Sequence, residues 1–183
     1  MGSEIFIRER FKDAPKIDDD LKPGFSIDIK SFNPMIGMCA GLSMEGMRPF
    51  AYTISTFALY RPFEMVRNAI CYQNLPVTIV GMGAGTIYST LGGTHLTQED
   101  ISIARSIPNM NIIAPCDPNE LEEAINYCSK KSKNPVYLRI GKVGEKNFTD
   151  KKSEKWKFFR FVAAIYARYY SFYLCYFFLI SMG

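Results

Sequence analysis

Between Asn33 and Ile140 the sequence alternates two kinds of segment, and that alternation restricts the fold more than any other feature. Pro49–Ile54, Val77–Val80, Asn111–Ala114 and Val136–Ile140 are short runs rich in apolar and β-branched residues, the length of buried strands. The intervening segments open on helix signals. Asn33-Pro34 reads as an N-cap followed by proline at the first helical position, with Glu45-Gly46 closing that helix. Pro62 starts a helix that runs to Tyr72, and a shorter helix spans Glu99 to Arg105. Asp117-Pro118-Asn119-Glu120 places a cap, a first-turn proline and a glutamate able to close a capping box, ahead of a helix to about Lys131. Strands alternating with helices make βαβ units, whose crossovers force a mainly parallel sheet with both faces covered. The expected fold is therefore α/β, a three-layer αβα sandwich. Ligands of such sheets lie beyond the carboxyl ends of the strands, at the loops after Ile54, Val80, Ala114 and Ile140.

Composition narrows the function classes. A chain of 183 residues with 48% hydrophobic content has room for one ordinary domain. Its net charge of +4 resides in the stretch 151–183, where six Lys/Arg face the single acid Glu154. The remaining body is nearly neutral and offers no electrostatic footprint for nucleic acid. Five scattered cysteines without a CxxC pair, and an N-terminus without a secretory pattern, point to reduced thiols and a cytoplasmic protein. With one histidine, His95, a His-rich zinc site is impossible, and no metal ligands are assigned. The chain divides into a polar segment 1–33, a regular domain 34–149, and a basic then aromatic tail 150–183. From Trp156 to Phe178 that tail holds 12 aromatic residues, and its apolar run is long enough for a membrane span with a basic flank. A shifted reading frame would produce the same kind of tail.

The short motifs of the regular domain carry a resemblance. Gly37–Gly46, Arg48–Phe50, Thr53–Phe57, Arg61–Glu64 and Gln73–Val77 are similar, in order and spacing, to the pyrimidine-binding domain of transketolases. So are Gly83–Gly85, the Gly92–His95 turn, Glu99–Ile101, Arg105–Met110 and Ala114–Asp117. The chain most resembles the separately encoded C-terminal subunits of split transketolases, with deoxyxylulose phosphate synthases as more distant relatives.

The resemblance implies the thiamine-diphosphate-binding fold and transfer of a two-carbon ketol unit between phosphosugars. The cofactor would be shared with a diphosphate-binding, N-terminal transketolase subunit, which would also bind Mg²⁺. A homodimer or heterotetramer is implied in the same way. Phe57 resembles the aromatic residue on which the aminopyrimidine stacks, with Arg61 a weaker cofactor contact. His95 resembles the histidine that contacts sugar oxygens, a task for a group that both donates and accepts. Asp100 is expected to orient the same hydroxyls, although an acid at a helix start is equally a cap. Arg139 resembles the arginine that clamps the substrate phosphate through paired hydrogen bonds. A dinucleotide reading of Gly81–Gly85 fails, because Thr86 stands at the third glycine position.

Two departures accompany the likeness. Cofactor activation in the family needs a glutamate beside the pyrimidine, and counting back from Met35 places Phe32 at that position. Met1–Phe6 reads as the remnant of the turn that follows the family's first strand, and on that reading the strand itself is missing. The third domain expected after Gly144 is replaced by the aromatic tail. Three readings follow: a working split-transketolase subunit, a catalytically silent paralogue that binds a partner, and a copy in which residues 12–33 and 151–183 are out of frame.

Overall fold

The computed structural model describes residues 4–9, 25–29, 32–142, 146, 147 and 149. Six parallel strands form one sheet: β1 (Glu4–Glu9), β2 (Phe25–Ile29), β3 (Arg48–Ile54), β4 (Thr78–Met82), β5 (Asn111–Ile113) and β6 (Val136–Ile140). Their order is β2-β1-β3-β4-β6-β5. The four strands expected from sequence are all present. Segment 1–33 adds two more, and Glu4–Phe6 opens a strand paired with both β2 and β3, where a turn was expected. Neither is a continuous apolar run, and the strict apolar–polar alternation of Phe25–Ile29, itself a strand signal, was passed over.

The helices are α1 (Phe32–Met44), α2 (Ser55–Leu59), α3 (Phe63–Met65), α4 (Asp100–Ser106) and α5 (Pro118–Lys130). A π-helical turn, Val66–Cys71, extends α3. Helix α1 begins one residue before the expected cap, so Phe32 rather than Asn33 opens it.

The pleat sorts the core into two layers. Ala51, Ile79 and Tyr137 face Met35, Ile36 and Cys39 of α1, Leu59 of α2, Val66 and Ile70 of the π-helical turn and Ala104 of α4. Phe50, Val80, Val136 and Leu138 face Ala124 and Cys128 of α5. Successive residues of one strand thus feed opposite layers, which is why these strands read as continuous apolar runs.

Helix α5 is closed at both ends. Asp117 Oδ1 accepts from the Glu120 amide at 2.8 Å, and Glu120 Oε2 accepts at 2.8 Å from the amide of Cys116, one residue before the cap, a variant of the reciprocal box expected from sequence. At the far end Arg48 Nη1 donates at 3.5 Å to the carbonyl of Cys128, one of those that the helix terminus leaves open, and to that of Ser132 just beyond the helix. No helix among the described residues is long and apolar enough to cross a membrane. The tail 156–183, whose apolar run from Phe161 to Met182 has the length of a span, lies outside the described residues.

Burial pushes the thiols of Cys39 and Cys71 up to about 12 and that of Cys128 to about 11, from an ordinary 9.0. Raised folded values mean that the folded state keeps protons the unfolded chain releases, so this contribution is intact below pH 9 and is lost as pH rises toward 11 to 12. Urea unfolding followed by circular dichroism should show stability declining above about pH 9. A Cys39→Ala/Cys71→Ala/Cys128→Ser chain should decline less steeply over the same range, and identical slopes would contradict the assignment.

Candidate functional site

Phe32 leaves from the end of β2, and Phe57 from the end of β3. Strand β1 lies between these two strands, so the residues flank the place where chain direction across the sheet reverses. Their rings meet with centroids 5.0 Å apart, tilted by 36°. The guanidinium carbon of Arg61 lies 5.0 Å from each ring centroid, a cation shared by two aromatic faces. His95 completes the group, its ring edge-on to Phe57 at 5.2 Å and 76°. Phe32 is 6% exposed, Phe57 and His95 are half-buried, and Arg61 is exposed.

The loop that delivers His95 is held at several points. Gly85 and Thr97 exchange backbone hydrogen bonds of 2.8 and 2.9 Å across an antiparallel bridge. Gly83 and Ala84 donate to Gly141 and Ile140 at the end of β6. Gly92 adopts φ +84°, a left-handed conformation that suits glycine, and separates the 3₁₀ turn Ser89–Leu91 from the 3₁₀ turn Gly93–His95. The Thr94 hydroxyl lies 3.0 Å from His95 Nδ1 and orients the ring.

Asp100 and Arg139 belong to a second group. Arg139 Nε donates to Asp100 Oδ2 at 2.6 Å, and the Tyr137 hydroxyl donates to the same oxygen at 2.9 Å. Asp100 is fully buried and Arg139 is 6% exposed. Asp100 Oδ1 has no hydrogen-bond partner. The Ser55 hydroxyl at the start of α2 donates to the Met82 carbonyl at 3.1 Å. Burial, followed by the negative charge of Asp100, drives the Tyr137 phenol well above the ordinary range. Gly81 is required beside this group, because a Cβ there would stand 2.6 Å from the Tyr137 hydroxyl oxygen and 2.8 Å from Ser55 Oγ. Near the other end of α2, Tyr60 donates to Glu99 Oε2 at 3.0 Å and accepts from the Glu99 amide at 3.1 Å.

The structure therefore brings Phe32, Phe57, Arg61 and His95 together. It joins Asp100 to Arg139, with α2 as the link between the two groups. Sequence reasoning missed Ser55, Tyr60 and Tyr137. The signal for Tyr137 was a buried-strand position holding a hydroxyl, since such a group needs a partner.

A third cluster, Cys116, Asp117 and Glu120, has ligand-type atoms within 4.8 Å of one another. Its carboxylates are engaged in the capping box, and Asp117 Oδ2 also accepts from the amide and hydroxyl of Thr149 at 2.7 and 2.8 Å. Burial first, then the hydrogen bond to Glu120, pushes the Cys116 thiol up to about 12, away from the thiolate a metal would take.

The described residues form a parallel α/β domain of the open-sheet class with an aromatic, histidine and arginine group near the carboxyl ends of its strands, where ligands of such sheets sit. The chain belongs to the family described as the transketolase pyrimidine-binding domain, which it matches over residues 33–143. It is 42% identical over 106 residues to a putative transketolase C-terminal section of Methanocaldococcus jannaschii, covering 58% of this chain and 33% of that protein. It is 36% identical over 119 residues to a 6-deoxy-6-sulfo-D-fructose transketolase subunit of a Clostridium species, covering 64% and 37%. The chain thus spans little more than a third of the length of these curated relatives. Among solved structures it is similar to a split-gene transketolase described as an inactive beta4 tetramer. That likeness has a TM-score of 0.70 and 28% identity, over 84% of this chain and 50% of the other. Transketolase of Campylobacter jejuni shares the fold, with a TM-score of 0.59 at 17% identity over 82% and 25% of the two chains.

The buried group gives a stability prediction. Asp100→Ala leaves the Arg139 guanidinium without its buried carboxylate and should cost about 3–5 kcal/mol. Tyr137→Phe removes one hydrogen bond and should cost about 1 kcal/mol. Urea denaturation of both variants measures the difference; equal small losses would show that the ion pair contributes no more than the phenol.

Proposed function

We propose that this chain contributes the pyrimidine half of a thiamine diphosphate site in a split transketolase-type assembly that moves a two-carbon ketol unit between phosphosugars. The observation that carries this reading is the contact of Phe57 with His95 at 5.2 Å, inside the region that matches the family. A half-buried phenyl ring suits a flat heterocycle, and an adjacent imidazole can donate to or accept from sugar hydroxyls. When bound, the cofactor supplies a carbon nucleophile for the ketose carbonyl. This chain's own residues stack and orient: Phe57 forms the platform, Arg61 borders it, and His95 addresses the sugar. In this reading the Asp100–Arg139 pair is a rigid floor that fixes α2 against the His95 loop. Diphosphate and Mg²⁺ would be held by a diphosphate-binding subunit, in a homodimeric or heterotetrameric assembly in the cytoplasm.

The fit to the cofactor is incomplete. The resemblance places the relay glutamate at Phe32, immediately before the matched region, and a phenyl ring can neither donate nor accept a proton. The nearby carboxylates are otherwise engaged, Asp100 by Arg139 and Tyr137, Glu99 by Tyr60, and Glu64 by Asn68. No step of cofactor activation is therefore assigned to this chain. The packing of Phe32 on Phe57 favours a second reading, in which the chain docks on a diphosphate-binding subunit without supporting turnover.

Co-purification with a diphosphate-binding transketolase subunit, followed by calorimetry with thiamine diphosphate and magnesium, tests the first reading. Uptake of the cofactor is expected, with ketol transfer about 10²- to 10⁴-fold below that of the Phe32→Glu chain. Uptake with no gain from Phe32→Glu would favour the second reading. Neither complex formation nor uptake would overturn both.

A further inference from the structure

We infer that Phe32 acts as an intramolecular lid on the aromatic platform, so that the isolated chain must displace its own side chain before a flat heterocycle can stack there. The inference rests on the reading of Phe57 as the platform and adds to it a device within this chain. Phe57 meets the Phe32 ring at 5.0 Å, the Arg61 guanidinium at 5.0 Å and the His95 edge at 5.2 Å. Arg61 lies equally close to Phe32, so one cation ties the lid to the platform. Phe32 is also the opening residue of α1, where a helix terminus has fewer backbone constraints than its interior.

The chemistry of the contact explains why the lid would close. A tilted phenyl pair gains from ring electrostatics as well as burial, and a guanidinium over both faces adds cation–π attraction. A pyrimidine ring could take the same place on Phe57 and keep the Arg61 contact, but it would have to expel Phe32. Occupancy is then a competition between an internal ring at high effective concentration and an external one. Replacing Phe32 with leucine keeps an apolar group over the helix start while deleting the ring that competes.

The test is binding of thiamine to the purified full chain, read by saturation-transfer NMR and by the chemical shift of the His95 ring, so that no turnover is needed. Wild type, Phe32→Leu, Phe32→Ala and Phe57→Leu are compared, with thermal unfolding recorded to confirm that each is folded. Expected results are roughly tenfold tighter binding by Phe32→Leu or Phe32→Ala than by wild type, and an upfield or downfield displacement of the His95 signals on opening. Phe57→Leu should abolish binding in either background. Equal affinity of wild type and both Phe32 variants, with Phe57→Leu still defective, would overturn the lid while leaving the platform standing. Binding unaffected by Phe57→Leu, or absent from every folded variant, would overturn the platform and the lid together.

Discussion

A buried carboxylate needs compensation, and the way Asp100 receives it organises the site end of the domain. Removing an ionised side chain from water costs several kcal/mol, which only good geometry and further hydrogen bonds offset. Here Arg139 Nε and the Tyr137 hydroxyl both reach Asp100 Oδ2. Arg139 and Tyr137 belong to β6 and Asp100 opens α4, while Ser55 at the start of α2 donates to Met82 at the end of the neighbouring β4. Strand β6 and helix α4 are therefore fixed at one point by polar contacts that tolerate little sliding. Gly81 completes the arrangement by leaving space for the phenol where any Cβ would intrude. Tyr60 and Glu99 repeat the tie further along, one residue before Asp100.

Much of this was legible from residues alone, because the domain's strands are covered on both faces. Apolar runs bounded by proline and glycine identified β3, β4, β5 and β6, and Asp117-Pro118-Asn119-Glu120 announced the start of α5 together with its reciprocal cap. Strands β1 and β2 were passed over: Glu4–Glu9 holds only Ile5, Phe6 and Ile7 between charged residues and depends on pairing with β3 for its place, while Phe25–Ile29 alternates apolar and polar residues, a strand signal that was not read. The grouping of Phe57, His95 and Arg61 came from motif likeness and not from pattern, as periodicity says nothing about which loops converge. The Asp100–Arg139 pairing was missed for a related reason. Two residues 39 apart become partners only when β6 lies beside β4 and α4 packs over that face, and sequence order gives no hint of it.

The two polar groups differ in what they ask of the chain. The Asp100 group serves the scaffold, where loss of one member leaves a buried charge or hydroxyl unmatched. The Phe57 group borders solvent and makes few demands on stability, since Arg61 is exposed and His95 half-buried. Surface cation–π contacts contribute only about 0.5–1 kcal/mol. A site composed this way is free to change chemically while the sheet beneath it stays intact.

Phe32 is the place where that freedom is visible. At the start of α1 a phenyl ring that is nearly buried contributes about 1.5–3 kcal/mol of transfer free energy, which favours folding. A carboxylate at the same point would give up that burial and stand close to Arg61, within reach of an ion pair that water largely screens. Stability therefore favours the aromatic residue and acid–base chemistry favours the acid, and the two demands cannot both be met by one side chain. The fold is indifferent to catalysis at this position, so the family's sheet, caps and histidine turn can all be present around a phenyl ring that has no proton to give or take.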